Sequence, residues 1–481
     1  MLETVLALDV GTSVVKAVLL DRDGVVHGRA ATAAPEDTVP GTDPQALWQV
    51  VEQVLGQLVA ASTRPVAAVV ISGQGDGLWS IDRDGAPQRA YAWNTVDAAE
   101  VVQRWERDGT IEAHFRRSGT VLWPGTDAAV WRWLEAQDPD RIARTGTVFC
   151  AKDWIGYRLT GVAATDVTDA SIAFLDLASR SYDPRALEGL GCQSIAERLP
   201  PALVPGEVLG GVTAAAAVTT GLAEGTPVHV GCLDLIAMIR AAGLRDPGDA
   251  LAVLGTTAVA VSVLDDLPVE AEPSGATVAM PEPGRYLRVL GANSGTTTLE
   301  WFLRTHGYTG DDRHDRFWDD VNAAGDQGAL LLPFLAGERA PFLAPEATGA
   351  FLGLTAATTL GGMGHGVVTG ITHALKHCLD AAGAGEDDLV LTGGGATRPE
   401  WCQLVADVLD RPVLVEARAD LGALGAASLV PGFEQLAGAD DTQPRARVTP
   451  AAGRDRAAER HTAYLDVVEA LRPLFKELPR P

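Results

Sequence analysis

Near its start the chain changes hydrophobic period in a recognisable order. Residues 4–10, 14–20 and 25–30 are three short apolar runs, split by Gly11-Thr12-Ser13 and by Asp21-Arg22-Asp23-Gly24. Turn residues at that spacing predict an antiparallel meander. From Pro44 the period lengthens, and Leu47, Val51, Val54, Leu55 and Leu58 fall on one helical face. Asp43 is placed to accept the free N–H groups at the start of that helix, and Pro44 suits its first position. Residues 66–72 then read as a buried strand running into Gly73-Gln74-Gly75-Asp76-Gly77.

The same order returns in the second half. Residues 254–264, opening Leu254-Gly255-Thr256-Thr257, lie over residues 10–20, opening Val10-Gly11-Thr12-Ser13. Further on, residues 389–395 repeat the strand and glycine loop of 69–75, after a helical stretch with Val367, Ile371, Leu375, Cys378 and Leu379 on one face. A duplicated meander plus α/β unit implies two similar domains facing each other, 1–244 and 245–481, with the boundary in the turn-rich stretch 243–249. Ligands collect in such a cleft. The last helix, about 455–472 with Tyr464, Leu465, Val468 and Leu471, should pack back on the body and stop or kink near Pro473.

Composition narrows the partners. With 38 Lys and Arg against 63 Asp and Glu, the net charge of −25 argues against a nucleic-acid partner. The longest apolar stretch, 250–264, is interrupted by Gly255, Thr256 and Thr257 and falls short of the roughly 20 residues needed to span a bilayer, so no membrane role is expected. Five scattered cysteines without a CxxC pair exclude a disulfide framework, and the first residues lack a secretory signal. A cytoplasmic protein is expected; a homodimer is left open.

Several residues could carry chemistry. Asp9 ends a strand beside a tight turn whose N–H groups and hydroxyls, at Thr12 and Ser13, can meet phosphate oxygens. Gly255-Thr256-Thr257 would present the matching turn, although either turn alone is equally a plain hairpin. Gly393-Gly394-Gly395-Ala396 would let backbone approach a flat or charged ligand. Asp234 ends a strand pattern near the expected cleft floor, where it could accept a proton, cap the following helix, or do both. Gln74, Asp76, Trp93 and Asn94 are groups that recognise several hydroxyls at once, which suits a polyhydroxylated ligand. Neither GxxxxGK[ST] nor the GxGxxG spacing occurs, GxSxG is absent, and His373 and His377 lack the glutamate of HExxH.

Taken in order, the Asp9 turn, the 73–77 loop, Trp93-Asn94, Asp234, Gly255-Thr256-Thr257, Gly337 to Phe342 (GERAPF), 349–354, Thr392 with its glycines and 422–427 resemble the FGGY carbohydrate kinases. Residues 151–161, opening Ala151-Lys152-Asp153, are similar to that family's KDYLRxRLTG segment. The resemblance implies two actin-like (ribonuclease H-like) α/β domains and transfer of the ATP γ-phosphoryl group to a hydroxyl of an open-chain sugar or polyol. It implies Asp234 as base, Asp9 and Asp234 as holders of Mg²⁺, and Thr12, Ser13, Lys16, Gly255 and Thr256 at the phosphates. Gly393, Gly394, Gly395 and Ala396 would lie under the adenosine, with Gln74, Asp76, Trp93 and Asn94 on the sugar side. Xylulose kinases usually carry GQMHG where this chain has Gly73-Gln74-Gly75-Asp76-Gly77, a change from bulk to space plus a carboxylate. The loop looks more like the erythritol and L-xylulose branches, and Thr95 stands where an Asp is usual. D-xylulose remains an alternative acceptor, and a nucleotide-switched assembly or chaperone ATPase is the alternative from another class.

Overall fold

The structure is a computed structural model describing residues 3–35, 41–418, 420–438, 445–451 and 455–477. Strands β1 (Thr4–Val10), β2 (Val14–Asp21) and β3 (Val26–Ala33) form the expected meander. Helix α1 (Pro44–Ala61) follows, with the Asp43 side chain accepting the Gln45 N–H at 2.9 Å. Strand β4 (Val69–Gly73) then runs parallel to β1.

After β4 the chain builds a three-stranded sheet and a helical layer with its own core around Trp105, Phe115 and Trp131. Helix α2 (Ala151–Thr160) leads back to β5 (Val208–Gly211) and β6 (Pro227–Leu233), which complete a six-stranded sheet in the order β5-β6-β4-β1-β2-β3.

Helix α3 (Asp234–Ala241) carries the chain to a second sheet. Its strands are β7 (Ala250–Leu254), β8 (Ala258–Leu264), β9 (Ala276–Ala279), β10 (Tyr286–Ala292), then β11 (Leu389–Thr392), β12 (Val413–Val415) and β13 (Ala446–Val448). Their order, β9-β10-β8-β7-β11-β12-β13, repeats the first sheet. In each, a meander (β1–β3; β7, β8, β10) is extended by two parallel strands (β4 and β6; β11 and β12).

The duplication is not a rigid overlay. Val10 pairs with Val15 across the first hairpin, whereas Leu254 pairs with Ala258 across the second, so the second turn is one residue shorter. A residue-for-residue superposition of 10–20 on 254–264 therefore slips by one beyond the turn, and a one-residue slip exchanges the faces of a strand.

Helices α4 (Leu360–Ala381), α5 (Pro399–Leu409) and α6 (Leu421–Ala427) belong to the second sheet's half. Helix α7 (Asp455–Phe475) settles there too, burying Tyr464, Val468 and Phe475 against Leu332, Phe334 and Phe342. It takes in Pro473 and ends two residues later at Phe475, near the expected stop. No helix among the described residues is long and apolar enough to cross a membrane.

What joins the halves is a crossing of α3 and α6. One continuous core takes Ala7 and Val18 from the first sheet, Ile236 and Ala237 from α3, Ala423 and Ala426 from α6, and Leu251 and Val261 from the second sheet. The helices approach so closely that a Cβ at Gly425 would lie 1.7 Å from the Ala237 carbonyl oxygen. Arg418 and Arg445 donate to the buried Ala241 and Ala242 carbonyls at 3.1 and 2.9 Å, pairing the last carbonyls of α3 with cations.

In an unobstructed helix Gly→Ala would gain up to about 1 kcal/mol. At this crossing the sign should reverse: Gly425→Ala is expected to lose about 2–3 kcal/mol in urea unfolding. A neutral or stabilising result would show that the helices do not touch there.

Candidate active site

The parallel strands set the site. Val10 of β1 and Leu233 of β6 both pair with Gly73 of β4, so the three strands end at one edge of the sheet. Loops at the carboxyl ends of parallel strands are the usual place for ligands in such sheets. Here that edge carries Asp9 and the turn at 11–13, the loop at 73–77, and Asp234.

Asp9 lies opposite Lys16 in the β1–β2 register. Burial raises the Asp9 pKa, and the Lys16 charge offsets part of that rise. Asp234 is the first residue of α3, with Leu233 at the cap position, so it anchors the first turn from within: its Oδ1 accepts the Leu235 N–H at 2.7 Å. Burial and then the Asp9 charge push its pKa up to about 7. Helix α6 enters the same corner, where a Cβ at Gly422 would lie 3.4 Å from Asp9 Oδ2.

A hydroxyl ties the first turn to the polar loop. Thr12 Oγ1 donates to Gln74 Oε1 at 2.9 Å and accepts the Trp93 indole N–H at 3.0 Å. Trp93 is held in turn by the Trp123 indole, which donates to its carbonyl at 2.8 Å. Ser13 and Asn94 are exposed. Thr95 has a local role, donating to Asp97 at 2.5 Å, so a carboxylate is present two residues beyond the position where an Asp was expected.

Asp76 is buried with φ of 62°, a left-handed conformation that non-glycine residues seldom adopt. Its N–H donates to Asp169 Oδ1 at 3.1 Å and its Oδ1 accepts the Asp127 N–H at 2.9 Å. Its Oδ2 is buried and has no hydrogen-bond partner among the described residues. Burial, followed by the nearby charges of Asp127 and Asp169, raises the Asp76 pKa well above the ordinary value. Asp127 is itself pushed to about 7 by burial.

The expected space at Gly75 does not exist. A Cβ there would lie 1.6 Å from Leu233 Cδ2 and 2.4 Å from Asp169 Oδ1, so Gly75 is small because protein fills the place of a side chain. The same correction applies to two of the three late glycines. Gly393, at φ 98°, and Gly395 press on Leu254, and Ala396 is buried, while Gly394 alone would place a Cβ in open space.

In the second half, Val253 pairs with Thr392, so the Gly255 turn and the glycine loop leave one sheet edge together. Thr256 is exposed. The carbonyls of Gly255 and Thr256 accept the N–H groups of Thr296 and Thr297 at 2.8 and 3.3 Å, leaving the turn's outer side for other partners. Behind it, buried Glu338 accepts the Asn293 and Arg339 N–H groups at 2.8 and 2.9 Å, with its pKa pushed up to about 7 by burial. Glu338 lies within the GERAPF stretch, whose pattern alone marks no role for it. Asp127, Asp169 and Thr168 carried no signal of their own in one sequence.

Residues 4–239 match the FGGY family of carbohydrate kinases, N-terminal domain, and residues 250–430 match its C-terminal domain. The chain is similar to the erythritol kinase of Brucella abortus, 29% identical over 453 residues that cover 89% of this chain and 86% of that one. To the L-xylulose/3-keto-L-gulonate kinase of Escherichia coli it is 30% identical over 437 residues, 88% of this chain and 86% of the other. The fold superimposes on gluconate kinase from Lactobacillus acidophilus with a TM-score of 0.91 at 22% identity, covering 99% of this chain and 100% of that one.

Two alanine substitutions separate packed glycine from open glycine. Gly75→Ala should cost about 1–3 kcal/mol in thermal or urea unfolding, and Gly394→Ala no more than about 0.5 kcal/mol. Equal effects would contradict the packing described at both loops.

Proposed function

The chain belongs to the FGGY family of carbohydrate kinases, and from that membership we propose that it transfers the γ-phosphoryl group of ATP to a hydroxyl of a small open-chain sugar or polyol. The observation that carries the reading is the shared strand-end edge, where Asp234 meets the Gln74–Asp76 loop on one side and Asp9 on the other. In this reading Gln74, Asp76, Trp93 and Asn94 bind the acceptor, and the first half of the chain, to about residue 244, is the acceptor side. Thr12, Ser13, Lys16, Gly255 and Thr256 meet the phosphates. Gly394 offers open backbone to the adenosine, with Gly393, Gly395 and Ala396 shaping the turn beneath it.

The transfer makes a bond from the acceptor oxygen to the γ-phosphorus and breaks the bond to ADP, while the hydroxyl proton passes to the Asp234 carboxylate. Little covalent chemistry is asked of the protein, so alignment of the two substrates supplies most of the acceleration. The donor set also fits a hard divalent cation, because Asp9 and Asp234 offer carboxylate oxygens whose mutual repulsion a cation would relieve. Mg²⁺ held by these two residues would neutralise phosphate charge. Closure of the two halves on bound substrates would keep water from competing as acceptor.

Asp76 and Asp234 give the acceptor side groups that can hydrogen-bond hydroxyls, which suits a neutral polyol or ketose. The 73–77 loop and the likeness to the erythritol and L-xylulose kinases favour a tetritol, a pentitol or L-xylulose over D-xylulose. Five buried, unpaired thiols support a reducing cytoplasm as its location.

A coupled ADP-release assay over tetritols, pentitols, D- and L-xylulose and gluconate tests the assignment. Strong stimulation by a tetritol, a pentitol or L-xylulose, well above that by D-xylulose or gluconate, is expected. A preference for D-xylulose would overturn the acceptor choice, and turnover indifferent to every member would favour the assembly or chaperone ATPase. Asp234→Ala should lower transfer by about a thousandfold or more with ATP affinity largely kept. Protonated Asp234 cannot take the hydroxyl proton, so acceptor kcat/KM should fall on the acid side, through about 7 for the cation-free carboxylate and at lower pH where Mg²⁺ is held there. A profile flat on the acid side would remove Asp234 from the base role.

A further inference from the structure

Burying an ammonium group costs several kcal/mol unless carboxylates and hydrogen bonds replace its water. Lys152, at the start of α2, is 2% exposed and has three carboxylates around it. Its Nζ lies 2.6 Å from Asp153 Oδ1, pairs with Asp166 Oδ2, and lies 2.6 Å from Asp169 Oδ2. All three acids are buried, so one cation serves as counter-charge for a cluster that would otherwise repel itself. Donor atoms of Cys150, Asp153 and Asp169 come within 4.8 Å of one another, yet the ammonium already occupies the cation's role among them. Burial and the adjacent carboxylates keep the Cys150 thiol protonated, which makes it a poor metal ligand.

The second oxygens of two of these acids lead to the proposed active site. Asp169 Oδ1 accepts the N–H of Asp76, the residue held in the left-handed conformation. Asp166 Oδ1 accepts the N–H and hydroxyl of Thr168 at 2.7 and 2.5 Å. Thr168 Oγ1 then accepts the Leu233 N–H at 3.0 Å, one residue before Asp234. The arms meet at Gly75, which is flanked by Asp169 Oδ1 and Leu233 Cδ2.

We propose that Lys152 is a positioning residue whose ammonium fixes the two sides of the reaction site through separate arms, Asp169 to the Asp76 loop and Asp166–Thr168 to the strand end that carries Asp234. The consequence for turnover rests on the kinase reading above. A cluster serving stability alone has no reason to end on the backbone of these two positions. The Asp169 arm governs how the acceptor is held, and the Thr168 arm governs the placement of the base.

The test uses the full chain with the best acceptor from the panel. Removing one of three carboxylates from a single cation leaves the cluster better balanced, so Asp169→Ala should fold. It should raise the acceptor KM by about tenfold or more with the ATP KM unchanged, and Asp169→Asn, which keeps an acceptor for the Asp76 N–H, should restore most of the loss. Thr168→Val should instead lower kcat by about tenfold or more at near-normal acceptor KM, with Thr168→Ser restoring it. Hydrogen exchange reads the arms without turnover: Asp169→Ala should speed exchange at the Asp76 amide, and Thr168→Val at the Leu233 amide. Unchanged exchange at both amides, or kcat losses that merely track the folded fraction with no KM split, would overturn the proposal. Exchange that responds as described in a protein with no acceptor-dependent turnover would instead overturn the kinase reading.

Discussion

The architecture depends on two helices touching backbone to backbone. Helices α3 and α6 lie between two similarly ordered sheets, and the contact of Gly425 with the Ala237 carbonyl leaves no room for a side chain. That crossing fixes more than the fold. The first residue of α3 is Asp234, and the first turn of α6 brings Gly422 against Asp9, so the contact that unites the halves also sets the two acids that face the proposed reaction. Interiors are close-packed, and a displacement at the crossing has few ways to be absorbed before it reaches those carboxylates.

Charge is distributed with equal economy. The chain carries a net charge of −25, and its candidate site adds buried carboxylates at Asp76, Asp127 and Asp234. Burial raises all three pKa values, with Asp127 and Asp169 adding to the rise at Asp76 and Asp9 adding to it at Asp234, so protons or a bound cation must offset part of the negative charge near neutrality. Just behind them Lys152 serves three further acids. In the proposed function Asp76 and Asp234 would hydrogen-bond the acceptor's hydroxyls, and the turns at 11–13 and 255–257 would meet the phosphates of the nucleotide.

Local pattern made much of this legible. The meander, the capped helix after Asp43 and the second copy of the strand-turn-strand unit follow from period and turn chemistry, which act over a few residues. What escaped depends on distant partners. The shorter second hairpin is a matter of pairing between Leu254 and Ala258, and Gly75 and Gly395 are small because Leu233, Asp169, Leu254 and Trp401 come to them from elsewhere in the chain. Lys152 in sequence is a charge on a helix. Only the fold places Asp166 and Asp169 around it, and only the fold shows that Asp127 and Asp76 share a corner. The docking of the 119–121 segment on the second sheet, with Thr120 and Thr277 exchanging hydrogen bonds at 3.0 and 2.9 Å, is likewise a long-range fact.

The central claim is that a hydroxyl presented by the 73–77 loop meets Asp234 in line with the end of a triphosphate. A crystal structure of the complex with a non-hydrolysable ATP analogue and a neutral polyol tests it most directly. The account predicts an acceptor hydroxyl about 3 Å from an Asp234 carboxylate oxygen, with the terminal phosphoryl group on that hydroxyl's far side. A polyol bound away from the 73–77 loop, or a triphosphate whose end lies remote from Asp234, would contradict it.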